Sequence, residues 1–129
     1  MSGINNIAKE VIEIESREIG KLKDLLTCDF ESAINSILES KGKFIISGMG
    51  KSGIIGKKIA ATLASTGTPS FFLHPGEAYH GDLGMVEKND VLLLISNSGE
   101  TDEVLKLIPF LKNQGNITIS IDRKSTRLN

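Results

Sequence analysis

The sequence holds one cysteine (Cys28), one tyrosine, three prolines and no tryptophan in 129 residues. A lone thiol can close no internal disulfide and form no Cys-x-x-Cys pair, so a disulfide scaffold is excluded and a reducing, cytoplasmic setting is expected. An excess of one charge is also missing. Fifteen basic residues against 16 acidic ones give a formal net charge of −1, with no basic surplus to hold nucleic acid. No apolar run approaches the roughly 18 residues that cross a bilayer, and "MSGINNIAKE" lacks the basic and apolar parts of a signal peptide. The expectation is a soluble domain without nucleic-acid or membrane partners. Its 40% hydrophobic and 24% charged content is ordinary for a globular protein.

What is present falls into two styles. From Ile4 to Leu26 apolar residues recur at helical spacing (Ile4, Ile7, Val11, Ile14, then Ile12, Ile19, Leu22, Leu26), which predicts an amphipathic helix facing its own domain or a partner subunit. A shorter helix follows, with Asp29 as N-cap and Ala33, Ile34, Ile37 and Leu38 on its buried side. Beyond residue 42 the chain alternates short, continuously apolar runs with helical ones. "KFIIS" (43–47), "PSFFLH" (69–74), "VLLLIS" (91–96) and "NITISI" (116–121) read as strands, and 53–67 and 102–115 as helices, the second interrupted by Pro109. Unalternating strands between helices predict an α/β fold with a parallel sheet covered on both faces. The last eight residues, "DRKSTRLN" (122–129), turn basic where another helix and strand are due, and are expected to be foreign to the gene.

"SGMGKSG" (47–53) follows the first strand, and a Gly-rich turn opening a helix is an anion site because free backbone N–H groups point at the ligand. A triphosphate P-loop needs a glycine five residues before Gly50, where Ile45 stands inside the strand. A dinucleotide fingerprint needs an acidic residue at the end of the next strand, about 20 residues on, where Leu73 and His74 stand. Neither large cofactor fits. "SNSGET" (96–101) occupies the equivalent place after another strand and offers three hydroxyls, Ser96, Ser98 and Thr101, beside a helix N-terminus. Hydroxyls and amides suit one small phosphate, although Ser and Thr here also serve as helix caps.

The stretches "GMGKSG", "ASTGTPSFFLHPGEAYHGDLGM" and "ISNSGET" resemble the sugar isomerase (SIS) family, and within it the bacterial D-arabinose 5-phosphate isomerases, over residues 1–121. The resemblance implies a flavodoxin-like three-layer sandwich, an SIS domain preceded by N-terminal helices over residues 1–40, commonly assembled as a tetrameric homo-oligomer. It implies interconversion of D-ribulose 5-phosphate and D-arabinose 5-phosphate for 3-deoxy-D-manno-octulosonate synthesis, toward lipopolysaccharide or capsule, with no organic cofactor. Family members continue through a further strand and helices carrying another glutamate and a histidine. The resemblance therefore implies a truncated domain with an uncovered sheet edge, weakly active or inactive by itself.

Aldose–ketose isomerisation needs a base at carbon, a donor for the developing oxyanion and an anchor for phosphate. By resemblance Lys51 and Glu103 are the catalytic pair, though an exposed lysine and a dipole-stabilising glutamate are their plainer readings. Ser52, Gly67, Thr68, His74, His80, Ser96, Ser98 and Thr101 then form the substrate site. Histidine is the side-chain type suited to shuttle protons or bind sugar hydroxyls, which makes His74 and His80 candidates for that role. A metal at His74 is expected only as an inhibitor. Two alternatives stay open: a sugar-phosphate-sensing regulatory SIS module, and another phosphosugar isomerase such as a hexulose phosphate isomerase. No DNA-binding helix-turn-helix precedes "KFIIS", and Lys51 and Glu103 are both present, which favours an enzyme.

Overall fold

The computed structural model describes residues 3–123. The chain divides between residues 34 and 35 into two compact units. The first carries α1 (Gly3–Lys21), a 3-10 turn (Leu22–Leu25) and the start of α2 (Cys28–Glu39). The helix expected to run to Leu26 thus stops at Lys21. Gly20, worth about 1 kcal/mol less than alanine in a helix, stands one residue before the break. No residue of α1 is buried, and Ile4, Ile7 and Ile19 stand exposed on it. Thr27, not Asp29, stands at the start of α2, its hydroxyl accepting the Asp29 amide at 3.3 Å. Leu38, expected on the buried side of that helix, is exposed, whereas Ile37 packs against the core.

The second unit is a four-stranded parallel sheet of β1 (Phe44–Gly48), β2 (Ser70–Leu73), β3 (Val91–Ser96) and β4 (Ile117–Asp122), in the order β2-β1-β3-β4. Every residue of β1 and β3 is buried, which explains why these strands read as unbroken apolar runs. Successive side chains feed opposite layers. Phe44 and Ile46 join Val91 and Leu93 beneath α3 (Gly50–Ser65), which adds Ala60. Ile45 joins Leu92 and Leu94 beneath α5 (Asp102–Gln114), which adds Val104, Leu107 and Leu111. Helix, sheet and helix form the three-layer sandwich expected from the sequence.

Three expectations need correction. Helix α3 opens at Gly50 rather than Gly53, because Gly50 takes a left-handed φ of 57° that turns the chain straight out of the strand. A short helix, α4 (Pro75–Ala78), and a 3-10 turn (Asp82–Met85) fill the segment after β2, where the sequence showed only a loop. Strand β4 runs one residue past Ile121, to Asp122, the first residue of the basic tail, which pairs with Ser96 of β3. Residues 124–129 of that tail lie outside the described residues. Among the described residues no strand pairs with the outer edge of β4, and Ile117 and Ile121 on it stay exposed.

Candidate active site at the carboxyl edge of the sheet

Strand β1 connects to β2 on one side of the sheet, and β3 to β4 on the other. The connections therefore part between β1 and β3, and a crevice at such a switch point is where open α/β sheets bind ligands. Both loops singled out in the sequence border it: residues 48–53 after β1 and 96–101 after β3.

The first loop owes its glycines to close packing. A Cβ on Gly53 would lie 2.6 Å from the Gly48 carbonyl oxygen, and one on Gly48 would lie 3.0 Å from the Ile95 carbonyl oxygen. The helix can start directly against the strand only because both side chains are absent. This places Lys51 and Ser52 in the first turn of α3, Lys51 exposed and Ser52 half-buried, where amides without intrahelical acceptors face the crevice.

The second loop is held by its own hydroxyls. Ser96, almost fully buried, accepts the Gly99 amide at 3.0 Å and shares a 2.8 Å hydrogen bond with Thr101 Oγ1. Ser98 accepts the Glu100 amide at 3.1 Å on the exposed side. Thr101 stands at the N-cap of α5 but makes no side-chain cap bond. Ser96 and Thr101 therefore shape the loop and, in doing so, aim its backbone amides and the first turn of α5. Glu103 is the second residue of that helix and is exposed.

The third wall follows β2. His74 caps α4: its Nδ1 accepts the Gly76 amide at 3.1 Å, and its ring stands edge-on to Phe72, with centroids 6.4 Å apart. Lys57 lies over the other part of that stack, 5.4 Å from the Phe72 centroid. Because Nδ1 accepts, the neutral ring carries its hydrogen on Nε2 and presents a donor. A metal at Nε2 on the neutral ring would move that hydrogen to Nδ1, where it would face the Gly76 N–H and the bond between them would be lost. Among the described residues no three His, Cys, Asp or Glu side chains gather to hold a metal ion. His80 is exposed in the turn beyond α4, its amide bonded to the Glu77 carbonyl at 2.9 Å.

Two expected site residues stand elsewhere. Gly67 and Thr68 follow the C-terminus of α3 and precede β2, at the amino edge, one 16-residue helix away from Lys51 or roughly 24 Å. Their local role is visible: Gly67 has φ 102° and the Thr68 amide returns to the Leu63 carbonyl at 2.9 Å, closing the helix end. A cavity of about 400 Å³ also opens at this amino edge, lined among others by Lys41, Lys88 and Asp90. Asp90 is occupied structurally, accepting the Lys43 and Glu87 amides at 2.7 Å each. At the carboxyl edge the sequence reading missed Ser47, a fully buried hydroxyl with no hydrogen-bond partner at the end of β1. Its position in an apolar strand gave no signal.

Residues 37–127 match the SIS domain family. The arabinose 5-phosphate isomerase KpsF of Escherichia coli is 53% identical over 118 residues, covering 92% of this chain and 37% of its own. The arabinose 5-phosphate isomerase KdsD of Yersinia pestis is 56% identical over 106 residues, covering 82% of this chain and 32% of its own. This chain thus spans about a third of the length of these curated relatives. A structure of an Escherichia coli CFT073 protein in complex with arabinose 5-phosphate superposes with a TM-score of 0.86 at 47% identity, covering 96% of this chain and 67% of that one. With a matched region that spans the whole sheet and both of its helical layers, the chain belongs to the SIS domain family.

Proposed function

We propose that this chain forms the phosphosugar site of an isomerase that interconverts D-arabinose 5-phosphate and D-ribulose 5-phosphate. One observation carries the reading. The Lys51 loop, the His74 segment and the hydroxyl loop with Glu103 converge on one sheet edge, in a chain more than half identical to arabinose 5-phosphate isomerases.

In this reading the phosphate rests on the amides of residues 97–103 and the Ser98 hydroxyl, within the loop that Ser96 and Thr101 brace. A carboxylate, Glu103, takes the proton from C2 of the open-chain aldose and the C1 oxygen gains charge as the enediol forms. Lys51 meets that charge as a point donor, and His74 Nε2–H binds a sugar hydroxyl. Transfer of the C2 hydroxyl proton to the C1 oxygen, together with return of the carbon proton from Glu103 to C1, gives the ketose. Atoms balance within the sugar, so no cofactor is needed, and we place the reaction in the cytoplasm. Among the described residues no helix is long and apolar enough to cross a membrane. The exposed apolar stripe of α1 supports assembly as a homo-oligomer.

The test is proton exchange. Incubated with D-arabinose 5-phosphate in deuterated water, the chain is expected to incorporate deuterium at the sugar's C2 above the uncatalysed rate, as read by NMR. Glu103→Gln should lower that rate by about 10²–10⁴-fold. Binding of the sugar phosphate without any exchange, in this chain and in a chain of its relatives' full length, would instead favour the regulatory sensor.

A further inference from the structure

We infer that Tyr79 is a positioning residue that clasps the histidine-bearing segment to α5; the inference rests on the function proposed above. The segment crossing from β2 to β3 runs along α5 and is tied to it by side chains at both ends. At its start the Tyr79 hydroxyl donates to the Lys106 carbonyl, and at its far end Gln114 Nε2 donates to the Val86 carbonyl at 3.0 Å. Between these ties lies the stretch from His80 to Met85, and immediately before them stand His74 and the short helix α4.

Pro109 has no N–H, so the Leu105 carbonyl four residues earlier lacks its helical donor. The Tyr79 phenol binds the next carbonyl along, that of Lys106, which as a carbonyl oxygen can accept a second hydrogen bond. Ala78, fully buried with Val104 and Leu107, holds α4 against the same helix, so Tyr79 is anchored by its neighbour and reaches outward by its own ring. Tyr79 as a residue is 55% exposed, so core burial does not account for it. Lys106 is three residues beyond Glu103, one turn along the helix. The clasp therefore fixes the distance between the histidines of one wall and the carboxylate of another. It leaves the phosphate loop alone, because Ser96 and Thr101 brace that loop independently.

The test compares the full chain with Tyr79→Phe, which removes only the hydroxyl. Amide hydrogen exchange across residues 80–85 is expected to accelerate about three- to tenfold, the range set by one hydrogen bond. Affinity for D-arabinose 5-phosphate should fall by a similar factor, while affinity for inorganic phosphate stays unchanged. Gln114→Leu, releasing the far tie, should alter neither affinity. Unchanged exchange in Tyr79→Phe overturns the clasp. Accelerated exchange with equal losses for sugar phosphate and inorganic phosphate overturns the positioning role and leaves only a stabilising one. A wild-type chain that binds inorganic phosphate but no sugar phosphate contradicts the proposed function, and the exchange rates then decide the clasp by themselves.

Discussion

At Gly53 a single methyl group would lie 2.6 Å from the Gly48 carbonyl oxygen, against backbone that cannot move without parting helix from strand. Gly53→Ala is therefore expected to destabilise the domain by about 1–3 kcal/mol, the usual cost of overpacking, although alanine is the better helix former. Urea denaturation of the two chains measures it, and an alanine variant as stable as the parent would contradict the packing role. Two of the glycines in "SGMGKSG" thus serve helix–strand contact, and Gly50 serves the turn. A pattern so like a cofactor fingerprint is thus accounted for by packing and turn geometry in this loop. The same scale explains what was hidden. Three hydroxyls were legible in "SNSGET", but not that two of them face each other at 2.8 Å and shape the loop. The His74 tautomer depends on an amide two residues on, which only coordinates reveal.

Among the elements, the strands were the most legible because both faces of β1 and β3 are buried, leaving each run apolar up to a single serine near its carboxyl end. β3 was read from the sequence with its observed bounds, and α5 to within one residue of its end. Helix α4 was not legible: four residues capped by a histidine and opened by a proline are too short for periodicity to register. The resemblance implies Gly67 and Thr68 as substrate contacts, and within this chain they stand at the amino edge, since α3 runs the full depth of the sheet before they occur. The N-terminal helix was read correctly as amphipathic, yet it buries none of its apolar residues within this chain. Ile7 and Val11 lie one turn apart on it and both are exposed. If that stripe joins copies, the chain should sediment as an oligomer and Ile7→Lys with Val11→Lys should shift it toward monomer. A monomeric parent chain at micromolar concentration would count against homo-oligomerisation through α1.

For the whole molecule, the central claim is that one edge of one sheet holds a sugar phosphate at its switch point. At the opposite edge two residues have structural roles: Asp90 ties the starts of β1 and β3 through two backbone amides, and Gly67 ends α3. The sequence separates these ends poorly, because charged and small residues occur at both, and only the order β2-β1-β3-β4 assigns each loop to its side. The most direct measurement is a titration of the isotope-labelled chain with D-arabinose 5-phosphate, followed amide by amide by NMR. Saturable shifts are expected at residues 48–53, 74–81 and 96–104, with residues 41–43, 66–69 and 87–90 silent. Shifts concentrated at the amino edge, or none that saturate, would contradict the account.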